Sequence, residues 1–350
     1  MGMNSFWSGK SVLVTGHTGF KGSWLSEILL REGASITGLA LSPMTGEDLF
    51  CAAKLQDRLS HNVVDIRNRD AVENVMLAAK PDVVFHLAAQ PLVLSSYDDP
   101  AYTWETNVMG TINLLEALRR NQKSCASVIV TTDKVYENVG DQTALDENSQ
   151  LGGHDPYSSS KSATEIAVAS WRRSFFDNDR ASIVTARAGN VIGGGDWATN
   201  RIVPDIVRSI QHQDILKVRN PDSVRPWQHV LEPLFGYIKL AEFSYSNEIS
   251  SSIDGFNFGP SKNVVASVSK LIDKSAEIWG TPIRVQREEE ARHEAAYLML
   301  ESSRAGSLLD WHQRWDFETT VHNTIYWYKR FLAGACASSL MKEQIDEYVG

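Results

Sequence analysis

Tyr157 and Lys161 are spaced so that their side chains share one face of a helix. A tyrosine of ordinary pKa, about 10, is a poor base at neutral pH, and lowering that pKa to about 7 takes roughly 4 kcal/mol of favourable interaction with positive charge. The Lys161 ammonium ion would supply part of that charge. The pair indicates a phenol that deprotonates a substrate hydroxyl, although an exposed amphipathic pair has the same spacing.

A second group of reactive residues lies at the end of the apolar segment Ser127–Thr132. The carboxyl end of a parallel strand is where ligands collect in α/β proteins. Thr132 would hydrogen-bond the hydroxyl that Tyr157 deprotonates, and Asp133 beside Lys134 offers an acid and a base. The alternative for Asp133 and Lys134 is a solvated ion pair on a loop.

A glycine-rich turn lies near the start of the chain, between an apolar segment and a helical one. Its residues are Gly16, His17, Thr18, Gly19, Phe20, Lys21 and Gly22. Glycines let the backbone turn sharply and approach a pyrophosphate, which binds the N–H groups and positive end of the next helix. The turn predicts a dinucleotide, whose oxidised nicotinamide would add positive charge beside Tyr157. A turn that holds no ligand is the alternative.

Later positions bear on which dinucleotide binds. About 20 residues beyond the turn, where an acid would hold the ribose 2′-hydroxyl of NAD, the chain has Ser42, so NAD and NADP both stay open. Asp65, which precedes Ile66, would accept a hydrogen bond from the adenine amine or would cap a helix. The run Leu87, Ala88 and Ala89 ends an apolar segment with small residues, across which a cofactor could lie. A plain strand end is the other interpretation of that run.

Apolar segments of strand length alternate with amphipathic segments of helix length. Helix ends are marked by Gly33, by Pro81, and by Asp155 and Pro156 as N-cap and first residue of the helix that carries Tyr157. The alternation predicts an α/β fold with a Rossmann-type, doubly wound parallel sheet. The expected strands are Ser11–Val14, Ala34–Leu41, His61–Asp65, Asp82–Leu87, Ser127–Thr132 and Ala181–Ala186.

The regular alternation fades after Gly189, where three consecutive glycines open a loop-rich region. We expect residues 1–189 to form the dinucleotide-binding domain and residues 190–350 to form mainly a smaller substrate-binding domain. Residues 229–259 could return to the sheet, so the boundary need not be a single cut.

Composition excludes several classes of function. The chain has 350 residues and a net charge of −9, which argues against binding nucleic acid or an anionic membrane surface. Its three cysteines lack metal-ligand spacing, so no metal site is expected. No apolar segment has the length of a signal peptide core or a membrane span, and the cytoplasm is the expected location. Any anionic ligand must meet a local cluster of arginines.

The glycine turn, Tyr157 with Lys161, and Thr132 resemble the extended short-chain dehydrogenase/reductase superfamily of nucleotide-sugar enzymes. More narrowly, blocks spread over about residues 10 to 330 resemble the nucleotide-sugar 4,6-dehydratases that act on CDP-glucose. The most specific blocks are the glycine turn and Thr132-Asp133-Lys134, because sister dehydratases usually carry Thr-Asp-Glu. The blocks are residues 16–25, 132–136, 155–158, 189–197 and 225–230.

The resemblance implies a hydro-lyase that uses NAD in an internal redox cycle and turns CDP-D-glucose into CDP-4-keto-6-deoxy-D-glucose and water, a step of deoxysugar and lipopolysaccharide O-antigen synthesis. Tyr157, with Thr132 and Lys161, would deprotonate the 4-hydroxyl. Asp133 would be the acid for the departing 6-hydroxyl and Lys134 the base at carbon 5. Because Asp133 opposes the low pKa that a lysine base needs, we expect a coupled pair that shares a proton.

The substrate must be held through its pyrophosphate. The resemblance implies that Asn190 reaches toward the sugar-nucleotide phosphate. Guanidinium groups suit phosphate oxygens, which makes Arg225 the first candidate, with Arg201 and Arg292 after it. A surface role that favours solubility is the alternative for Arg201 and Arg292.

Other functions stay open at this point. A 4-epimerase or a dehydratase of another sugar nucleotide would use the same scaffold, but an epimerase needs no acid–base pair at the strand end. A non-catalytic dinucleotide sensor would tolerate the loss of Tyr157 or Lys161, and both are present. The apolar face of Val108–Leu118 could build a homodimer or tetramer by helix packing, as is common in the superfamily.

Overall fold

The structure is a computed structural model that describes residues 6–43, 45–121, 123–138, 143–176, 181–246, 253, 255–260, 265–288 and 298–350. Its strands, in chain order, are β1 (Ser11–Thr15), β2 (Ser35–Ala40), β3 (Ser60–Val63), β4 (Val83–His86), β5 (Cys125–Val130), β6 (Ala181–Arg187), β7 (Val191–Ile192), β8 (Leu216–Val218), β9 (Val224–Pro226), β10 (Gln228–His229), β11 (Gly255–Asn257), β12 (Val265–Ser267) and β13 (Val285–Arg287).

A seven-stranded parallel sheet forms the centre of the molecule, in the order β11-β6-β5-β4-β1-β2-β3. Successive side chains of a strand point to opposite faces, and here both faces are covered. In β1, Val12 and Val14 join one apolar layer, while Leu13 joins the other. Burial on both faces explains why the strands read as continuous apolar runs. The predicted Rossmann-type sheet and its six strands are confirmed.

Helices cover both faces of the sheet. In chain order they are α1 (Phe20–Arg31), α2 (Leu49–Ala52), α3 (Arg69–Ala79), α4 (Val93–Asp98), α5 (Pro100–Trp104), α6 (Gly110–Arg120), α7 (Pro156–Phe175), α8 (Ile202–His212), α9 (Leu231–Ser246), α10 (Val268–Trp279), α11 (Ser303–Leu309), α12 (Phe317–Leu332) and α13 (Ala337–Val349). Across the described residues, none of these helices combines the length and apolar character needed to cross a membrane.

The helix α7, which carries Tyr157 and Lys161, begins where the sequence predicts. The Asp155 side chain accepts a hydrogen bond from the backbone N–H of Ser158 at 2.9 Å, and Pro156 occupies the first turn. An aspartate cap satisfies an N–H group that would otherwise lack a partner, and proline lacks an N–H to lose. The start of α7, and with it the position of Tyr157, is therefore set by local sequence.

Short two-stranded sheets occupy the later part of the chain. They pair β7 with β10, β8 with β13, and β9 with β12. Strand β11 instead adds to the edge of the central sheet, where it runs parallel to β6. The chain thus crosses back to the sheet after β10. The proposed division of the chain between residues 189 and 190 stays a prediction.

Replacing Asp155 with alanine should lower the free energy of unfolding by about 1 kcal/mol, because the N-terminus of α7 loses its cap. Urea unfolding followed by circular dichroism measures this. Asp155→Asn keeps an oxygen acceptor and should recover most of the loss. Asn68→Ala, which removes the equivalent cap of α3, is a matched control and should cost a similar amount. An unchanged urea midpoint in Asp155→Ala would contradict the assignment.

Candidate active site

A cavity of about 1970 Å³ opens along the carboxyl ends of β1, β4, β5 and β6. A pocket for a single small ligand is typically about 300–1,000 Å³, so this one has room for two. Its wall includes most of the predicted site residues, together with Ser42. They are Gly16, Thr18, Gly19, Phe20, Lys21, Gly22, Asp65, Ile66, Leu87, Ala88, Ala89, Thr132, Asp133, Lys134, Tyr157, Lys161, Asn190, Arg201 and Arg225.

The glycine turn forms a cradle with no space for side chains. Gly16 has a φ of +73°, and a Cβ added to it would lie 2.7 Å from the backbone nitrogen of Ala88. A Cβ on Gly22 would overlap the Gly16 carbonyl oxygen and lie 2.7 Å from the Cα of His17. Within the described part of the chain, no side chain caps α1, and its first turn holds no acidic residue. This positive helix end and open backbone fit a dinucleotide pyrophosphate.

His17, the remaining residue of the turn, lies in the interior instead of on the cavity wall. Its Nε2 atom is 2.6 Å from Nδ1 of His61 on β3, and its ring packs against Gly38 of β2. Burial, with a smaller effect of His61, lowers the pKa of His17 to about 4. The neutral ring therefore supports the turn from beneath.

Asp65 lies on the cavity wall at the end of β3 and is bound to Arg67. Its carboxylate accepts hydrogen bonds from the Arg67 backbone N–H at 2.9 Å and from Nη2 at 2.7 Å. The bond from Arg67 is the largest of the effects that hold the pKa of Asp65 below its usual value. The alternative that Asp65 caps a helix is wrong, because Asn68 caps α3.

Thr132, Asp133 and Lys134 form a connected polar group at the end of β5. The Thr132 hydroxyl donates to Oδ1 of Asp133 at 2.9 Å, and the Lys134 ammonium group donates to the same oxygen at 3.3 Å. The Asp133 side chain is almost fully buried, whereas Lys134 is 30% exposed toward the cavity. A short 3₁₀ turn over Asp133–Val135 brings both side chains to the strand end.

The Asp133 carboxylate lies directly against the backbone of the next strand end. A Cβ on Gly189 would overlap its oxygens, and Asn190 donates from Nδ2 to Oδ2 at 3.2 Å. Asn190 has a φ of +53°, which is uncommon for a residue with a side chain and is found where surroundings enforce it. Asn190, predicted at a phosphate, thus contacts the carboxylate of Asp133.

Tyr157 and Lys161 lie on one face of α7, as their spacing predicts. Burial raises the pKa of Tyr157, while the charge of Lys134 and a hydrogen bond with Thr132 lower it. The Lys161 ammonium group, expected to supply part of the positive charge beside Tyr157, donates to the Val130 carbonyl oxygen at 3.2 Å. Among the charges around Tyr157, that of Lys134 lowers its pKa most.

Two buried lysines bring positive charge to this site. Burial lowers the pKa of Lys161 to about 8, although the neighbouring Glu165 raises it. Burial also lowers the pKa of Lys21 to about 8, and the charges of Arg201 and Lys161 act in the same direction. Both ammonium groups are thus close to titration at neutral to mildly alkaline pH.

The predicted arginines are in different surroundings. Arg201 donates from Nη1 to Oδ2 of Asp196 at 2.8 Å at the cavity wall, and Arg225 is buried with Nη1 bonded to the Val224 carbonyl at 3.2 Å. Arg292 lies outside the described residues. The Arg201 side chain is 34% exposed on the cavity wall, and its pKa is raised, first by the charge of Asp196.

Sequence reasoning missed further cations in the same wall. Arg208, Lys217 and Arg219 line the cavity beyond Arg201. Arg208 donates to the carbonyl oxygens of Trp197 and Ala198 at 3.1 Å. Lys217 lies in β8 and is exposed between the buried Leu216 and Val218, an alternation of apolar and polar residues that is visible in the sequence. Within the described part of the chain, no group of three or more His, Cys, Asp or Glu side chains is placed to hold a metal ion.

Tyr157 and Lys161 on α7 lie on the same cavity wall as Asp133 and Lys134 at the end of β5. This arrangement is typical of the extended short-chain dehydrogenase/reductase class. The sequence model of the family described as GDP-mannose 4,6 dehydratase matches residues 13–324, and the chain belongs to this family. The expected superfamily and the expected class of enzyme, a dehydratase, are confirmed.

Relatives of established name agree with this family. The chain is 42% identical to CDP-glucose 4,6-dehydratase of Salmonella typhimurium, over 99% of this chain and 98% of that protein. The crystal structure of dTDP-glucose 4,6-dehydratase from Bacillus anthracis in complex with NAD matches with a TM-score of 0.76 at 20% identity, over 91% and 96% of the two chains. An epimerase from Methanothermobacter thermautotrophicus matches with a TM-score of 0.80 at 20% identity, over 96% and 95%. The two structures support the fold.

Replacing Gly22 with alanine should weaken dinucleotide binding at least about tenfold, because the added Cβ overlaps the Gly16 carbonyl and opens the cradle. Calorimetric titration with NAD, and separately with NADP, measures this and also decides between the two cofactors. Gly46→Ala is the control, since among the described residues no atom lies within 4 Å of its Cβ. Equal affinity in wild type and Gly22→Ala would contradict the assignment of the cradle.

Proposed function

We propose that this protein converts CDP-D-glucose to CDP-4-keto-6-deoxy-D-glucose and water, with NAD as its cofactor. The observation that carries the proposal is the Asp133–Lys134 pair, 3.3 Å apart, beside Tyr157 and Thr132 at one strand end. A 4-epimerase has no use for an acid and a base at this place. The 42% identity with a CDP-glucose 4,6-dehydratase supports the choice of sugar nucleotide.

The first step is oxidation at carbon 4, and the chain prepares it through linked hydroxyls. The Tyr157 phenol lies beside the Thr132 hydroxyl, which donates to Oδ1 of Asp133 at 2.9 Å. A sugar 4-hydroxyl that takes the place of Thr132 as the partner of Tyr157 would lose its proton to the phenolate. Lys161 stays beside the strand end through its 3.2 Å bond to the Val130 carbonyl oxygen and favours the anionic phenol by its charge.

The cofactor's place is the cradle between the glycine turn and the end of β4. Gly16 and Gly22 give its pyrophosphate access to backbone N–H groups, and the small residues Ala88 and Ala89 leave room along the wall. When bound, NAD supplies reversible hydride transfer, which oxidises carbon 4 and later reduces carbon 6.

The second step is loss of water across carbons 5 and 6. The ketone at carbon 4 acidifies the carbon-5 proton, which Lys134 removes, while Asp133 protonates the departing 6-hydroxyl. A shared proton suits both tasks: Asp133 must enter the step protonated and Lys134 neutral, and their 3.3 Å separation allows one proton to serve either group. Asn190 holds the second oxygen of Asp133, so the acid keeps one orientation.

The substrate diphosphate would meet the cationic side of the cavity. Arg201, Arg208 and Arg225 line this side, and guanidinium groups bind phosphate oxygens in pairs. Arg201 is already oriented by Asp196 at 2.8 Å. The positive charges of these arginines would attract the diphosphate locally, although the net charge of the chain is −9.

The proposal is tested by incubating the purified protein with CDP-glucose and, separately, with UDP-, dTDP- and GDP-sugars, each with and without NAD. We expect CDP-glucose to lose the mass of one water without net formation of NADH. Preference for another sugar nucleotide would overturn the choice of substrate. Inversion at carbon 4 without dehydration would overturn the reaction and favour an epimerase.

Replacing Lys134 with alanine should slow exchange of the carbon-5 proton with deuterated solvent by about 100-fold or more, because the base is removed. Mass spectrometry of the sugar nucleotide measures the exchange. Lys123→Ala is the control and should exchange at the wild-type rate. It removes a lysine that pairs with Asp82 at 2.8 Å at the N-terminal ends of β4 and β5, the end of the sheet opposite the cavity. A wild-type rate in Lys134→Ala would remove Lys134 from this role.

Further expectations remain proposals. We propose a cytoplasmic enzyme of deoxysugar and O-antigen synthesis that works as a homodimer or tetramer. Leu114 and Leu118 of α6 are buried within the subunit, so they are not available for packing against a second copy. Exposed apolar side chains of neighbouring segments would make that contact. Trp104, Met109 and Ile166 are 41%, 50% and 60% exposed.

A further inference from the structure

A buried ion pair lies directly behind the acid–base residues. Glu165 is one turn after Lys161 on α7, and Arg187 is the last residue of β6. The Arg187 guanidinium donates from Nη2 to Oε2 of Glu165 at 2.8 Å and from Nε to Oε1 at 3.0 Å. The two side chains are 3% and 2% exposed, so the bidentate pair is shielded from water.

The ion pair holds the segment Thr132–Lys134, which follows β5, at its N-terminal end. The hydroxyl of Thr131, the residue before Thr132, donates to Oε1 of Glu165. The hydroxyl of Thr185 on the neighbouring strand donates to Oε2 at 2.6 Å. Each oxygen of Glu165 therefore accepts one hydroxyl and one guanidinium N–H, which fixes the carboxylate in a single orientation.

The same pair holds the segment at its other end. Arg187 donates from Nη1 to the Tyr136 hydroxyl at 2.7 Å, and that hydroxyl donates to Oδ1 of Asn257 on β11 at 2.7 Å. Thr131 and Tyr136 flank the residues Thr132–Lys134 on either side. The acid and base of the proposed reaction thus lie on a short bridge whose two ends are bonded to one ion pair.

Glu165 lies one turn after Lys161 on α7, and its negative charge raises the pKa of Lys161. Lys161 is bonded to the Val130 carbonyl, and the other charged or titratable groups that face it are Tyr157 from the same face of α7, Lys21 from α1 and His86 from β4. Lys21 is a cation and His86 is neutral at physiological pH, because burial lowers its pKa to about 3. Glu165 itself faces Arg187, Arg172 and Tyr136 in addition to Lys161. Among these groups Glu165 supplies the negative charge.

Such a pair is not explained by stability alone. Ion pairs removed from water recover little more than their desolvation cost, and apolar replacements are often equally stable. This pair bonds Thr131 and Tyr136, which flank Thr132–Lys134, and lies one turn from Lys161. Its position indicates a role in holding these residues in place.

We propose that Glu165 and Arg187 are positioning residues: they hold Thr132–Lys134 from both ends and keep Lys161 protonated by supplying its counter-charge. The role rests on the proposed function, in which Lys161 must be cationic. Loss of the anion favours neutral Lys161, so the alkaline side of the activity profile should move to lower pH.

The test uses Glu165→Gln, which keeps the shape and removes the charge. The alkaline limb of kcat/KM for CDP-glucose should move down by about one pH unit, and Glu165→Asp should restore it. Competitive labelling of Lys161 with acetic anhydride, read by peptide mass spectrometry across pH, follows its protonation without turnover and should show the same shift. If Arg187 left unpaired prevents folding, Glu165→Gln with Arg187→Met removes both charges. Both profiles should then still move to lower pH, but by less than in Glu165→Gln, because a cation is lost together with the anion.

Glu232→Gln is the matched control. Glu232 is a buried carboxylate bonded to the backbone N–H of Trp315 and the hydroxyl of Tyr348, so its loss should lower stability without moving either profile. The proposal would be overturned if folded Glu165→Gln showed wild-type profiles, or if Glu232→Gln shifted them equally. It would also be overturned if neither Glu165→Gln nor the double variant folded. If the wild type does not dehydrate CDP-glucose, the proposed function fails, whereas Lys161 labelling still decides this inference.

Discussion

Burial of the parallel sheet on both faces is the constraint on which the rest of this protein depends. Apolar layers on either side leave little room for polar side chains along the strands, so such groups concentrate where the strands stop. All strands of the sheet run in the same direction, and their carboxyl ends form one edge. The glycine turn, the Thr132–Lys134 bridge and Gly189 therefore meet there although they are far apart in the sequence.

Much of this arrangement could be predicted, because it depends on local patterns. Strand and helix alternation specifies the sheet, and Asp155 with Pro156 specifies where α7 begins. Given the sheet and the start of α7, helical geometry places Tyr157 and Lys161 on the face of α7 that lines the cavity. The position of the glycine turn directly after β1 places it in the same cavity wall. Each of these inferences needs only neighbouring residues and the direction of a strand.

The rest depended on contacts between distant segments. Nothing around Asn190 indicates that its amide meets Asp133, because that contact requires two strand ends side by side. Arg67 beside Asp65 was visible in the sequence, but which side chain caps α3 depends on backbone geometry. The orientation of Lys161 toward Val130 likewise depends on how α7 packs on β5. Arg208 and Lys217 could not be placed in the cavity wall from the sequence, because their position depends on how the chain after residue 190 folds.

The contact between Gly189 and Asp133 has an evolutionary consequence. Because the Asp133 carboxylate occupies the volume of a side chain at position 189, even a methyl group there would displace that carboxylate. In the reaction proposed above this carboxylate is the acid for the departing hydroxyl, so a small mutation at position 189 would act on the loss of water. Position 189 is therefore restricted to glycine by the carboxylate that lies opposite it, although it contributes no reactive group of its own.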